Sequence, residues 1–344
     1  MNLTKQIKLY FSDSKRQKNS FLQSLSMLKD VEELGKGLAN INYLLTFVDR
    51  SKFIMRFNFW KDKDWYAGNI ISIKNEYQVL RFLEKSTITP KVYFVDASKK
   101  IFPFEFLIEE YISHDDMKVD FDFPGVVRGL KKLHKTKITD EAKKVFRKDA
   151  NSKKKIGLYS ERLKSIQPKK NNEIERIFFE KKEVYSKYIN TIKNCLSGNS
   201  IIHHDPFPEN FLHKDFWYLI DWQTAVIGNP MHDIANLLMD FIYQFTLGRK
   251  LRDKEKDLIL RTYYGEKVDL SKKKKLADSL LPVYYIDLFL FLLYKEAELK
   301  KQNFPKPLFL FLQKRLQHGR SIILKKEEIL FWFKEMEDRL LKNK

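Results

Sequence analysis

The sequence holds one cysteine, Cys195, in 344 residues, so no internal disulfide can form and the core alone must hold the fold. The N-terminus, MNLTKQIKLYFSDSKRQKNS, lacks an apolar stretch long enough for a signal-peptide core, and a cytoplasmic location is expected. Long apolar runs are also scarce. The most apolar window, Leu280 to Tyr294, is interrupted by Pro282 and Asp287 and is shorter than the roughly 20 residues that span a bilayer, so no membrane span is expected and the window reads as a buried helix. There are no Gly/Ser-rich or Pro-rich linkers and no internal repeats, which leaves one large domain or two closely joined lobes.

The composition, 43% hydrophobic and 14% aromatic, can build a substantial core and excludes a disordered chain. A net charge of +20 raises the question of nucleic acid, since clustered Lys and Arg bind phosphate backbones through counterion release. The lysines are spread along the chain, however (Lys153 to Lys155, Lys272 to Lys275, Lys342, Lys344), and no nucleic-acid motif accompanies them. Nucleic acid is therefore not the expected partner.

The first third reads as strands with one helix. Asn42 to Val48 and Lys52 to Phe59 are β-rich runs around the turn-like Asp49-Arg50-Ser51, which predicts an antiparallel hairpin. NEYQVLRFLEKS has helical period and is expected to end at Thr89-Pro90, after which KVYFVD and FEFLIEEYI read as strands. From Val126 onward amphipathic helical patterns dominate. The expected class is α+β, with a small antiparallel-sheet lobe (residues 1–112) followed by a larger, mainly helical lobe (residues 113–344).

Two ionisable residues break the patterns of the small lobe. Alternation puts Arg56 mid-strand with Ile54 and Asn58, opposite Phe53, Met55, Phe57 and Phe59. In the helix, Glu76 shares the core-facing stripe of Leu80 and Leu83. A carboxylate there needs a partner, and Arg56 is the candidate; a strand cation paired with a helix glutamate is how kinases hold nucleotide phosphates. The competing reading is a solvated arginine and a first-turn glutamate favoured by the helix dipole. Just upstream, LGKGLANINY reads as a turn in which Gly35 and Gly37 admit close phosphate approach to the backbone and Asn40 offers an amide, or as an ordinary turn.

The richest stretch is SIIHHDPFPENFLHKDFWYLIDW, Ser200 to Trp222. SII reads as a buried strand end, and Pro206 and Pro208 forbid a regular helix, so His203 to Asn210 is a loop. NFLH and WYLI then form a hairpin that returns the chain beside its start. Asn210 and Asp221 converge there as hard oxygen ligands suited to Mg²⁺. Asp205 faces the same point, where a carboxylate can orient a hydroxyl and accept its proton.

The spacing His203-x-Asp205-x-x-x-x-Asn210 followed by Ile220-Asp221-Trp222 resembles the catalytic and metal-binding motifs of the aminoglycoside phosphotransferase and choline kinase superfamily, a branch of the protein-kinase-like fold. PENFL and GNPMHDIANLL look especially like bacterial choline kinases of the lipooligosaccharide type. GLANINYLLTF, KFIMRF, NEYQVLRFL, FLIEEYI and LKKLH fall in the order that family requires, so the resemblance covers roughly Leu34 to Leu238. It implies a bilobal kinase-like fold and an ATP- and Mg²⁺-dependent transfer to a small-molecule alcohol. It further implies Asp205 as catalytic base, Asn210 and Asp221 as magnesium ligands, Arg56 on the α- and β-phosphates oriented by Glu76, and the backbone at Glu110 and Ile112 as the adenine-binding hinge. His203 is implied to brace the loop and Asp233 to stabilise it from the following helix, whose apolar stripe is Ile234, Leu237, Leu238 and Phe241 behind Pro230.

Departures concern the acceptor. Choline kinases of this type carry glutamate and an aromatic after the Asp-Trp pair and tryptophan before the later aspartate; here Gln223, Thr224 and His232 stand in those places. Tyr284, Tyr285 and Tyr294 are expected in the core, with a rebuilt aromatic cage for a quaternary ammonium as the alternative. Choline- or ethanolamine-like amino alcohols are the favoured acceptors, with amino sugars, aminoglycosides or thiamine as alternatives. Two other classes compete: a histidine-aspartate phosphohydrolase built on His203, His204, Asp205, His232 and Asp233, and a kinase-like protein that binds nucleotide or a partner without catalysis.

Overall fold

A computed structural model describes residues 3–13, 19–37, 39–59, 72–114, 121–148, 173–192, 198–299, 306–323 and 325–342. Cys195, Lys153 to Lys155, Lys344 and the side chain of Tyr294 lie outside the described residues.

Five antiparallel strands form the N-terminal sheet: β1 (Leu28–Lys36), β2 (Asn40–Phe47), β3 (Lys52–Asn58), β4 (Val92–Asp96) and β5 (Glu105–Glu110), in the order β1-β2-β3-β5-β4. The β2-β3 hairpin closes on the expected turn, where Asp49 Oδ1 accepts from Ser51 N at 3.0 Å and Ser51 Oγ at 2.7 Å while Arg50 takes φ 69°. Two readings need correction. Gly35 lies inside β1, opposite Asn42, so of the two glycines only Gly37 stands outside the strands, where its N–H donates to Asn40 O at 2.8 Å. The helix α3 (Ile73–Leu83), between β3 and β4 in sequence, passes into a 3₁₀ turn at Glu84–Ser86 and stops at the left-handed Thr87, before Thr89-Pro90 is reached.

The two faces of the sheet differ as the alternation requires. One face is aromatic and is covered by the N-terminal helix α1 (Leu3–Ser12), which the short α2 (Ser20–Ser24) follows; Tyr10 of α1 sets its ring edge-on to Phe102 and Phe106 at 5.6 and 6.0 Å. No sequence pattern had marked this helix. The other face carries Asn40, Asn42, Arg56, Asn58 and Glu109, because Asn42 pairs with Arg56, Arg56 with Leu107 and Ile54 with Glu109. α3 adds its buried stripe of Glu76, Leu80 and Leu83.

The rest is mainly helical. α4 (Phe123–His134) is capped by Asp122, whose Oδ1 accepts from Gly125 N at 3.0 Å while its Oδ2 accepts from Trp217 Nε1 at 3.1 Å. The expected buried helix is longer than its sequence suggested: it runs from Leu270 to Leu299 straight through Pro282. By length and composition Leu270–Leu293 could cross a membrane, but 67% of that apolar window is buried in the fold, and the buried Asp287 accepts from Tyr185 Oη at 2.6 Å. It is the core helix of this part. The helix after Pro230 ends at Leu237, so Phe241 belongs to a separate helix, Asp240–Leu247, rather than to the same stripe.

Candidate active site

The segment from Ser200 folds as its prolines and alternation dictate: a strand at Ser200–Ile202, a loop ending in a 3₁₀ turn at Pro208–Asn210, then strands Phe211–His213 and Trp217–Leu219 paired as a hairpin. Ile220 N donates to Asn210 O at 3.0 Å, which fixes Asn210 beside Asp221. Asn210 Nδ2 donates to Asp205 O at 2.9 Å, so Asp205 and Asn210 are locked together, and Asp221 sits in the left-handed region at φ 64°. Asp205, Asn210 and Asp221 therefore converge as expected. Burial first, then the charges of Asp221 and Glu209, push the Asp205 carboxyl well above its ordinary range.

Asp233 organises the loop behind this trio. Its Oδ2 accepts from His203 N at 2.8 Å and its Oδ1 from His204 N at 2.7 Å, and His134 Nε2 lies 2.9 Å from Oδ2. The two backbone N–H groups reach one carboxylate because His204 adopts φ 72°. His203 contacts Ile220 O through Nε2 at 3.0 Å, so it braces the loop against the strand that delivers Asp221. His134 is a member the sequence reading missed; it lies in the LKKLH fragment that helped carry the resemblance, and its other nitrogen meets Tyr263 Oη at 2.7 Å.

Arg56 and Glu76 are 2% and 1% exposed, which removes the solvated-arginine reading. Arg56 Nη1 lies 3.5 Å from Glu76 Oε1, and Nη2 lies 2.5 Å from Asp221 Oδ1. Burial opposes the Arg56 charge, but Asp221, Glu76 and Glu109 more than offset it and hold the guanidinium firmly protonated. Burial pushes Glu76 upward and Arg56 pulls it back. Asn40 turns its amide oxygen to this cluster, accepting from Arg56 Nη2 at 2.6 Å and from Gln223 Nε2 at 3.1 Å. Glu109 is a further missed member. It looked like one more strand residue, yet it is 6% exposed and burial, opposed by Arg56, pushes its carboxyl up to about 8.

Glu110 ends β5 and Ile112 lies two residues beyond it. The Glu110 carboxylate accepts from Lys91 N at 3.1 Å, and Ile112 O faces His114 Nδ1 at 3.0 Å. Gly37 stays beside Asn40 at the turn, whereas Gly35 in β1 is withdrawn from it.

The positions thought to concern the acceptor prove otherwise engaged. Gln223 Nε2 donates to Glu76 Oε2 at 3.1 Å and Thr224 Oγ1 to His203 O at 3.0 Å. His232 is fully buried against Tyr284, and Tyr285 stacks on Trp332 at 4.3 Å, so both tyrosines belong to the core. The phosphohydrolase arrangement also fails: Asp233 spends both oxygens on backbone N–H groups, and no group of three or more His, Cys, Asp or Glu placed to hold a metal occurs among the described residues.

A magnesium ion does fit the trio. With Nδ2 donating to Asp205 O, Asn210 has its amide oxygen left for coordination, and Asp221 offers its second carboxylate oxygen.

The geometry agrees with known proteins. Residues 30–263 match the phosphotransferase enzyme family. No curated protein matches the sequence. Among solved structures, an ethanolamine kinase from Plasmodium vivax superposes with TM-score 0.65 at 16% identity, covering 91% of this chain and 86% of the other. A gentamicin complex of APH(2″)-IIa gives 0.61 at 16% identity, with 93% and 98% covered. A choline/ethanolamine kinase family protein from Mesorhizobium loti gives 0.57 at 13%, with 96% and 99% covered. At such identities the likeness establishes the kinase-like fold, and the family match extends over most of the chain. The chain belongs to the phosphotransferase enzyme family.

Proposed function

We propose that the protein is an ATP- and Mg²⁺-dependent kinase that phosphorylates a hydroxyl of a small amino alcohol of the choline or ethanolamine kind, with an amino sugar, an aminoglycoside or thiamine as the second choice. The observation that carries this reading is the convergence of Asp205, Asn210 and Asp221 beside the buried Arg56–Glu76 pair. The sheet part, to about residue 112, holds the nucleotide, and the helical part holds the acceptor.

Asp205 orients the acceptor hydroxyl and takes its proton as the oxygen bonds to the γ-phosphorus and the bond to the β,γ-bridging oxygen breaks. Its raised carboxyl pKa brings it nearer the proton affinity such a base needs. Arg56, fixed by Glu76 and Asn40, is placed to meet the nucleotide phosphates, and Asp233 keeps the Asp205 loop in register. Magnesium, held by Asn210 and Asp221, would supply positive charge against the charge developing on the leaving phosphate. Glu209 stands on the same loop as Asp205, its charge partly met by Arg315 at 3.8 Å, and a cationic acceptor would suit these two carboxyl groups.

An ADP-release screen over these acceptors tests the reading. Asp205→Asn should abolish transfer and spare nucleotide binding, while Asp221→Ala should abolish metal-dependent nucleotide binding. Wild-type turnover in both variants would refute the site. No turnover with any acceptor, together with no thermal shift on adding nucleotide, would favour a binding protein without catalysis.

A further inference from the structure

Gln223 follows the Asp-Trp pair directly, where position alone assigns it to the acceptor. Its contacts lead elsewhere. The Glu76 carboxylate is bracketed by the turn that carries Asp221: Oε1 accepts from Trp222 N and Oε2 from Gln223 Nε2, both at 3.1 Å. The same Gln223 amide reaches Asn40, whose oxygen it shares with Arg56. Asn40 in turn closes the turn before β2, since Gly37 N donates to its carbonyl at 2.8 Å. One side chain from the helical part thus touches the first residue of β2, and through Glu76 the α3 helix, while Arg56 of the sheet returns to Asp221.

We infer that Gln223 is a positioning residue for the nucleotide rather than an acceptor contact: it locks Asn40, Arg56 and Glu76 to the Asp221 turn, so that the phosphate-facing groups of both parts of the molecule are held in one arrangement. A side chain without donors here would leave a buried carboxylate oxygen of Glu76 unpaired and Asn40 untethered, and Arg56 would lose its fixed direction. Glutamine suits the position because one amide N–H₂ carries two donors, one for a carboxylate and one for an amide oxygen. Asparagine, one methylene shorter, cannot reach both.

The inference rests on reading the Arg56 cluster as the nucleotide site, and titration of Mg·ATP into the full-length protein separates the two. The wild type should bind Mg·ATP, and Gln223→Met should weaken binding about tenfold, as expected for loss of a buried bond to a charged group. Asn40→Ala should weaken it comparably, and the double variant no further than about twofold beyond either single, because both act through one tether. Gln223→Glu supplies a readout that a purely structural role would not move. Its carboxylate keeps the shape of glutamine but faces Glu76 with a like charge and no donor, so Mg·ATP affinity should fall further than in Gln223→Met while the acceptor KM at saturating Mg·ATP stays unchanged. Urea midpoints without nucleotide identify any variant that fails to fold, and Gln223→Glu then stands as the second test. Wild-type affinity in both folded Gln223 variants, or a rise confined to the acceptor KM, would overturn the inference while leaving the nucleotide site intact. Failure of the wild type to bind Mg·ATP would overturn both.

Discussion

Glu109 offers a quantitative test of the electrostatics around Arg56. It sits on β5 opposite Ile54, on the sheet face that bears Arg56, and is 6% exposed. Burial pushes its carboxyl from the ordinary 4.5 to about 8; Arg56 opposes the shift, and Glu76 and Asp221 add to it. Between those two values the folded protein holds a proton that the unfolded chain has released, so stability is fully present below the unfolded pKa and falls as the pH rises toward the folded one. The slope is about 1.4 kcal/mol per pH unit, so the loss through this one side chain from pH 5 to pH 8 is about 3–4 kcal/mol. Glu109→Gln keeps the shape and removes the titration. Urea unfolding of both proteins from pH 5 to pH 8.5 should show free energies that lie close together at the acid end and separate in favour of the variant as the pH rises. Contributions from buried groups outside the Arg56 cluster are common to both and cancel in the difference. Parallel curves would refute the reasoning, because they would mean that Glu109 is already ionised in the fold and that Arg56 outweighs its burial.

Asp233→Asn should unfold at lower urea by about 2–4 kcal/mol and lose phosphotransfer, since an amide cannot accept from His203 N and His204 N together with His134. Burial would raise that carboxyl, but the His134 hydrogen bond and charge, with His203, hold it below the usual range; its stabilisation is therefore present at neutral pH, and the gap between wild type and variant should narrow only below about pH 4. Gly125→Ala should lower the thermal midpoint by the equivalent of more than about 2 kcal/mol, because a Cβ there would run into the Asp122 carboxylate and the Trp217 indole that cap and brace α4. Gly129→Ala, one turn further along the same helix and facing open space, should instead raise it by about 0.5–1 kcal/mol.

Legibility followed the physics of each element. The β2-β3 hairpin and the α3 stripe could be read because each buries one face, and the loop from His203 to Asn210 because two prolines leave it no regular helix. β1 could not be read: LKDVEELGK carries five charges and owes its extended form to pairing with β2. α1 has a modest apolar stripe whose purpose appears only against Phe102 and Phe106. The extent of the long core helix is not legible because Pro282 reads as an interruption, whereas burial against the surrounding helices carries the chain through it. In the site, residues with sequence-local signals were found, but His134, Glu109 and the true direction of Gln223 were not, since each is defined by contacts more than 90 residues away or across a strand pair.

The same distinction bears on why an arginine stands in the sheet. A lysine is a point charge and can satisfy one carboxylate well, whereas the guanidinium fork lets Arg56 face Glu76 through Nη1 while Nη2 serves Asp221 and the Asn40 oxygen. Such a fork is useful only if its plane is fixed, and the fixing falls to neutral groups, since two carboxylates already lie within 3.5 Å of it. A glutamate at position 223 would add another negative charge beside Glu76. An amide there supplies the hydrogen bonds without the charge, so Arg56, Asn40 and Gln223 form one solution to the electrostatics of this site rather than three independent choices.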